Sequence, residues 1–176
     1  MNRIEQSLRN TATRLKRPLL LTAVLALSLA YAPLTAFQDD HALLINASPS
    51  LPHWAFWLDR HAVPQRGSLI FFEPPRSDLL ARHFGKKPHL FGKRVLGMPG
   101  DVVTHRGSRV FINGHLVATT KPVTRLGVPL ARGPQGRVPE RCYYAGSHHP
   151  DGFDSRYAAI GFVCAGQILG SGRTIL

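Results

Sequence analysis

Val110-Phe111-Ile112-Asn113-Gly114-His115-Leu116-Val117 reads as two alternating apolar runs joined by Asn-Gly. Asn-Gly supplies the two left-handed residues of a type I′ turn, whose twist matches that of the strands it joins, so the stretch predicts a two-residue β-hairpin. On either side the same grammar repeats. Short apolar or alternating runs, Leu43–Ile45, Ser68–Phe72, Arg94–Leu96, Val102–Thr104, Arg109–Ile112, His115–Ala118, Cys142–Ala145 and Phe162–Cys164, stand between Gly, Pro, Asn and Asp. A mainly β fold is expected. Residues Arg76–His89 hold the one soluble helix expected, with Ser77 or Asp78 as cap, and Lys121–Glu140, with prolines at 122, 129, 134 and 139, read as a long irregular loop.

Composition supports this reading. The 176 residues are 44% hydrophobic and 18% charged, which excludes a disordered or coiled-coil chain and fits one globular domain with a short appendage. Gly 16 and Pro 14 are high for a helix bundle. Lysine and arginine total 22 against 10 acidic residues, a net +12 that points to an anionic membrane, an acidic partner or nucleic acid.

The appendage is N-terminal. Residues 18–37, PLLLTAVLALSLAYAPLTAF, carry no charge, and about 20 apolar residues in a helix span the bilayer core. Arg3, Arg9, Arg14, Lys16 and Arg17 precede the run with only Glu5 opposing them, while Asp39 and Asp40 follow it. The positive-inside rule then predicts a basic cytoplasmic segment over 1–17, a transmembrane signal anchor over 18–37 and a periplasmic domain over 38–176. A cleaved leader ending at Ala30-Tyr31-Ala32 is the alternative; Pro33 and the continuing apolar run favour a retained anchor. After position 17 there remain 17 basic and 9 acidic residues, still +8, and for an exported domain a membrane or protein contact fits better than nucleic acid.

Three segments carry candidate chemistry: Asn46-Ala47-Ser48-Pro49-Ser50-Leu51-Pro52; Gly92-Lys93-Arg94-Val95-Leu96-Gly97-Met98-Pro99-Gly100-Asp101; and Gly146-Ser147-His148-His149-Pro150-Asp151-Gly152-Phe153-Asp154-Ser155-Arg156-Tyr157. A serine hydroxyl becomes nucleophilic when a neighbouring base takes its proton, and a lysine serves as that base only when desolvated. On an extended strand Lys93 shares a face with Val95 and Gly97, while Arg94 turns away.

In order and content the three segments resemble the type I signal peptidase family of membrane-anchored serine/lysine proteases, with Arg66-Gly67-Ser68-Leu69-Ile70-Phe71-Phe72 similar to a further family strand. The resemblance implies a signal-peptidase-like β fold with one N-terminal transmembrane helix. It implies Ser50 as nucleophile, Lys93 as general base, and Ser48 as a hydroxyl that, with the Ser50 backbone N–H, holds the oxyanion. Ser48 as nucleophile is the alternative, although Pro49 would then remove a backbone donor. Asp154 and Arg156, with Ser155 between them, resemble the family's buttressing acid–base pair. Where the family has a serine that helps orient the lysine, this chain has Gly152, and Asp154 is the nearest substitute. A pocket for small substrate residues is expected between the first segment and the Ser68–Phe72 strand.

The Ser48-Pro49-Ser50-Leu51-Pro52 form, the Phe153-to-Tyr157 ending and a body of about 139 residues resemble the conjugative-transfer peptidase branch (TraF type), which processes pilin precursors. That implies a precursor protein as partner and leaves open whether an acyl-enzyme is hydrolysed or captured by a tethered amine to give a cyclic pilin. A catalytically inactive periplasmic assembly subunit is the competing reading, and the Gly152 departure keeps it open. A self-cleaving repressor-type protease is opposed by the apolar run and the lack of a DNA-binding segment. No cofactor or metal is expected, because adjacent His148 and His149 on a strand end point to opposite faces and lack a third ligand. Cys142 and Cys164, an even count outside the cytoplasm, favour a disulfide, with two separate buried thiols as the alternative.

Overall fold

A computed structural model of the chain describes residues 20–29, 31, 33, 35–46, 51–86 and 88–175, which fall into two compact units, 1–40 and 41–176. In the first unit residues 20–29 and 35–40 are helical. Among the described residues no helix is long and apolar enough to cross a membrane. The anchor expected over 18–37 includes residues 18, 19, 30, 32 and 34, which lie outside the described ones.

The second unit is mainly β, as expected. Its elements run β1 (His41–Ile45), β2 (Ala55–Asp59), β3 (Leu69–Phe72), the helix Asp78–Phe84, β4 (Phe91–Gly97), β5 (Val102–Arg106), β6 (Arg109–Ile112), β7 (His115–Thr119), β8 (Gly136–Arg137), β9 (Cys142–Gly146), β10 (Val163–Cys164), a 3₁₀ turn Ala165–Gln167 and β11 (Ile168–Thr174). Seven strands form one sheet in the order β1-β2-β11-β3-β4-β9-β10, and four form a second in the order β7-β6-β5-β8; every pairing is antiparallel.

The Asn-Gly hairpin forms where expected, joining β6 to β7 with Ile112 opposite His115 and both turn residues left-handed, Asn113 at φ 51° and Gly114 at φ 83°. The helix is shorter than expected. Ser77 caps its start by accepting from the Leu80 N–H at 3.2 Å, and Gly85, at φ 84°, ends it with its own N–H on Ala81 O.

Three strands are unannounced by the sequence pattern: β2, β11 and the two-residue β8, which pairs with β5 from within the stretch expected to be an irregular loop. β2 lacks alternation, and β11, Ile168-Leu169-Gly170-Ser171-Gly172-Arg173-Thr174, carries two glycines that argue against a strand. Packing requires those glycines. A Cβ at Gly170 would stand 2.4 Å from Asp59 O, and one at Gly172 would stand 2.6 Å from the Phe71 ring, so only glycine lets β11 lie between β2 and β3.

Central strand β3 is covered on both faces, which is why its run is apolar throughout rather than alternating. Ile70 and Phe72 pack with Leu80, Val95, Tyr143, Ala145, Ile160 and Val163; Leu69 and Phe71 pack on the other side with Leu51, Phe56 and Leu58. Val103, Val110, Ile112, Val138, Cys142 and Tyr144 fill a third cluster between the sheets. The cysteines are joined, Cys142 to Cys164, tying β9 to its sheet-edge neighbour β10.

Candidate active site

β4 carries the second segment through the middle of the large sheet, between β3 and β9. Its burial alternates, so Lys93, Val95 and Gly97 are buried while Arg94 and Leu96 are half-buried. Arg94 turns to the other face and donates to Gly67 O at 2.7 Å. Lys93, only 5% exposed, stands opposite Ile70 of β3, with the Phe91 ring centroid 5.9 Å from its Nζ. Burial drives its pKa below the ordinary lysine value; the Asp154 carboxylate pulls the other way, and the Arg156 guanidinium adds to the lowering. Lys93 is therefore a desolvated lysine.

The end of the same segment is a brace. The Asp101 carboxylate accepts from the Met98 N–H at 2.7 Å, from Arg66 Nη2 at 2.6 Å and from Asn113 Nδ2 at 2.7 Å, tying β4 to the loop before β3 and to the hairpin. Burial opposes ionisation of Asp101, yet these donors outweigh it and hold its pKa below the usual carboxylate value. Glycine at position 97 is required by close approach, since a Cβ there would meet Tyr144 Cβ at 2.9 Å.

The third segment closes over the end of β9. Asp154 is fully buried and Arg156 nearly so, and they pair twice, Arg156 Nε to Asp154 Oδ1 at 2.8 Å and Nη2 to Oδ2 at 3.0 Å. The same guanidinium donates to Ser147 O at 2.6 Å, Thr119 O at 3.2 Å and His149 O at 3.3 Å. Burial works against the arginine charge, but the Asp154 carboxylate beside it prevails and raises its pKa. Ser155 holds the segment to the sheet, its N–H donating to Ala145 O and its Oγ accepting from the Ala145 N–H, each at 2.9 Å. Asp154 and Arg156 act on the Lys93 charge from the β9 side of β4. His148 is exposed and His149 half-buried, its Nδ1 accepting from the Asp151 N–H.

Ser48 and Ser50 lie outside the described residues. Their flanks are defined. The Asn46 N–H donates to Trp54 O at 2.8 Å, and its Nδ2 donates to Leu51 O at 3.0 Å and His53 O at 2.7 Å, drawing the two ends of the segment together. Leu51 is buried against Phe71, and a Cβ at Gly92 would stand 3.3 Å from Leu51 Cδ1. The residue after Ser50 therefore packs on β4 one position before Lys93, on the strand face opposite Lys93.

Two site residues carry no individual role in the sequence reading. Ser147, 3% exposed, gives its N–H to Asp154 Oδ2 at 3.0 Å, with its Oγ 3.4 Å from the same oxygen. Gly133 supports the Asp154 segment from outside, its N–H on Arg156 O at 2.8 Å, and a Cβ there would fall 2.0 Å from Ser155 O. The signal for Ser147 is Gly152, a gap in the expected pattern that some other side chain must fill.

No curated protein matches the chain. A crystal structure of a signal peptidase I from Enterococcus faecalis V583 is similar at 24% identity and a TM-score of 0.38, covering 62% of this chain and 97% of that one. Residues 15–176, which include all three segments, match the family described as signal peptidase, peptidase S26. The chain therefore belongs to the signal peptidase family, whose members remove leader peptides from precursor proteins.

Proposed function

We propose that the chain is a membrane-anchored serine endopeptidase working through a Ser50/Lys93 dyad on the periplasmic side of the inner membrane, with a conjugative pilin precursor as substrate. The observation that carries this reading is Lys93 itself, a lysine 5% exposed with its pKa lowered by burial, in a family of peptidases. Neutral Lys93 Nζ takes the Ser50 hydroxyl proton as Oγ attacks the scissile carbonyl, and passes it to the leaving amine as the peptide bond breaks. Ser48 and the Ser50 backbone N–H steady the oxyanion. The acyl group then leaves Ser50 for water or for the substrate's own N-terminal amine; the latter path yields a cyclic product lighter than the linear one by one water. Leu51 anchored on β4 supports the pairing of the first segment with the lysine strand. The uncharged 18–37 run behind a basic flank supports the anchor, as do exposed Leu20, Leu21, Val24, Leu25, Leu27 and Leu29 on the helical stretch.

The test is to incubate the full-length protein with a pilin precursor and a panel of exported precursors and to weigh the products. Wild type should cut the pilin precursor, and Ser50→Ala, Lys93→Ala and Lys93→Arg should each abolish cleavage, because a guanidinium does not release its proton near neutral pH. Turnover by Lys93→Arg removes lysine from the base role. Broad cleavage of secretory leaders defeats the pilin assignment. No cleavage by wild type supports the inactive assembly subunit instead.

A further inference from the structure

We infer that Ser147 is the positioning residue for Lys93, and that the side chain missing at Gly152 is what makes room for its hydroxyl; the inference rests on the dyad reading above. The register of the sheet points to it first. β4 and β9 pair as Val95 with Ala145 and Arg94 with Gly146, where the ladder ends; continuing the same register by one residue places Ser147, the first residue past β9, across from Lys93. Residues directly opposite in an antiparallel pair share a face with Cβ atoms about 5 Å apart. On its other side Lys93 faces Ile70, and Phe91 flanks it along the strand, both apolar. Ser147 brings a polar side chain to the buried lysine from the neighbouring strand.

A buried amine needs acceptors. The Asp154 carboxylate is already heavily committed, Oδ1 to Arg156 Nε and to the Arg156 N–H, Oδ2 to Arg156 Nη2 and to the Ser147 N–H. The Ser147 hydroxyl donates to Oδ2 across 3.4 Å, which leaves its lone pairs to accept from Nζ. In this arrangement Asp154 orients the serine, and the serine orients the lysine.

Gly152 supplies the independent observation. The segment folds back so that a Cβ at 152 would fall 2.3 Å from Ser147 Oγ, and 2.9 Å from both Asp154 Oδ2 and Arg156 Nη2. A side chain at 152 and the hydroxyl at 147 compete for one space, and in this chain the hydroxyl holds it.

The test uses the full-length enzyme and a precursor that wild type cuts and Lys93→Ala does not. Ser147→Ala should lower kcat roughly 10- to 100-fold, the scale of a misplaced catalytic group, with KM within about twofold and the melting transition retained. Gly152→Ala, which displaces the hydroxyl and also presses on the Asp154–Arg156 pair, should show at least the same kcat loss in the wild-type background and a smaller further kcat loss on top of Ser147→Ala, while its effect on melting persists in both backgrounds. A merely structural role predicts instead that the two losses add and follow melting temperature. If Ser147→Ala fails to fold, Gly152→Ala decides alone, because it displaces the hydroxyl while keeping Ser147: unchanged kcat in folded Gly152→Ala overturns the inference. Unchanged kcat in Ser147→Ala beside an inactive Lys93→Ala overturns the inference and leaves the dyad standing. Cleavage by Lys93→Ala overturns the dyad and the inference with it.

Discussion

Replacing Arg156 by methionine tests what holds the site together. The guanidinium is 2% exposed and donates to both oxygens of a fully buried carboxylate and to three backbone carbonyls, Ser147, Thr119 and His149. Arg156→Met keeps much of the volume but leaves Asp154 a buried charge, solvated by the Ser147 N–H and hydroxyl and the Arg156 N–H. Removing one partner of a buried pair costs about 3–5 kcal/mol, because the remaining charge keeps its desolvation penalty. At about 3–4 °C per kcal/mol for a body of this size, the melting temperature should fall by roughly 10–20 °C. The second arm removes both charges. Asp154→Leu with Arg156→Met should recover at least half of the loss, since two apolar side chains carry no uncompensated charge. Calorimetry of wild type, the single variant and the double, each in low and high salt, measures this. Salt should change little, because the pair is shut from counterions. A single-variant fall under about 3 °C, or a double variant no better than the single, would show that the pair does not carry this segment.

Three further outcomes are expected. Reducing the Cys142–Cys164 bridge, whose partners lie 22 residues apart, should cost about 3 kcal/mol in the chain-entropy model, read as a lower melting temperature in dithiothreitol. Gly133→Ala should destabilise by about 3 kcal/mol, because the atoms a Cβ would strike are backbone and have nowhere to move; a neutral effect in a denaturant titration contradicts that packing. Lys93→Met should be inactive yet melt higher than wild type at pH 7, since it removes a desolvated amine. With the folded pKa of Lys93 below its unfolded value of 10.5, the unfolded chain binds more protons between the two, so wild-type stability should gain on Lys93→Met as pH rises through that window. A constant gap between the two melting curves across that range refutes the lowered pKa.

Much of this protein is written locally. Asn113-Gly114 specifies its turn by itself, because both residues accept positive φ and the flanking runs alternate, and the structure has that hairpin in that register. Ser77 likewise announces the helix start through its own hydroxyl. Lys93 was legible as a buried position because strand alternation groups it with Val95 and Gly97 whatever the neighbouring strands are.

What local pattern leaves undetermined is decided by neighbours distant in sequence. β11 looks unlike a strand because Gly170 and Gly172 lower its propensity, and only contact with Asp59 and Phe71 explains why glycine stands there. β2 is hidden for a related reason, since its successive residues Ala55 and Phe56 face opposite ways and are both buried, and a strand covered on both faces shows no clean alternation. The same holds at the site. The sequence places Asp154 and Arg156 two residues apart but not their bidentate pairing within the interior, which depends on the β9 end, the Thr119 carbonyl and Gly133 closing around them. Ser147 is one serine in a polar loop until folding gives its N–H to Asp154 and brings Gly152 over its hydroxyl. Turn conformation and strand phase depend on residues a few bonds apart and are encoded there; burial, charge pairing and the room for one hydroxyl depend on surfaces brought together by folding, and exist only once the sheet is assembled.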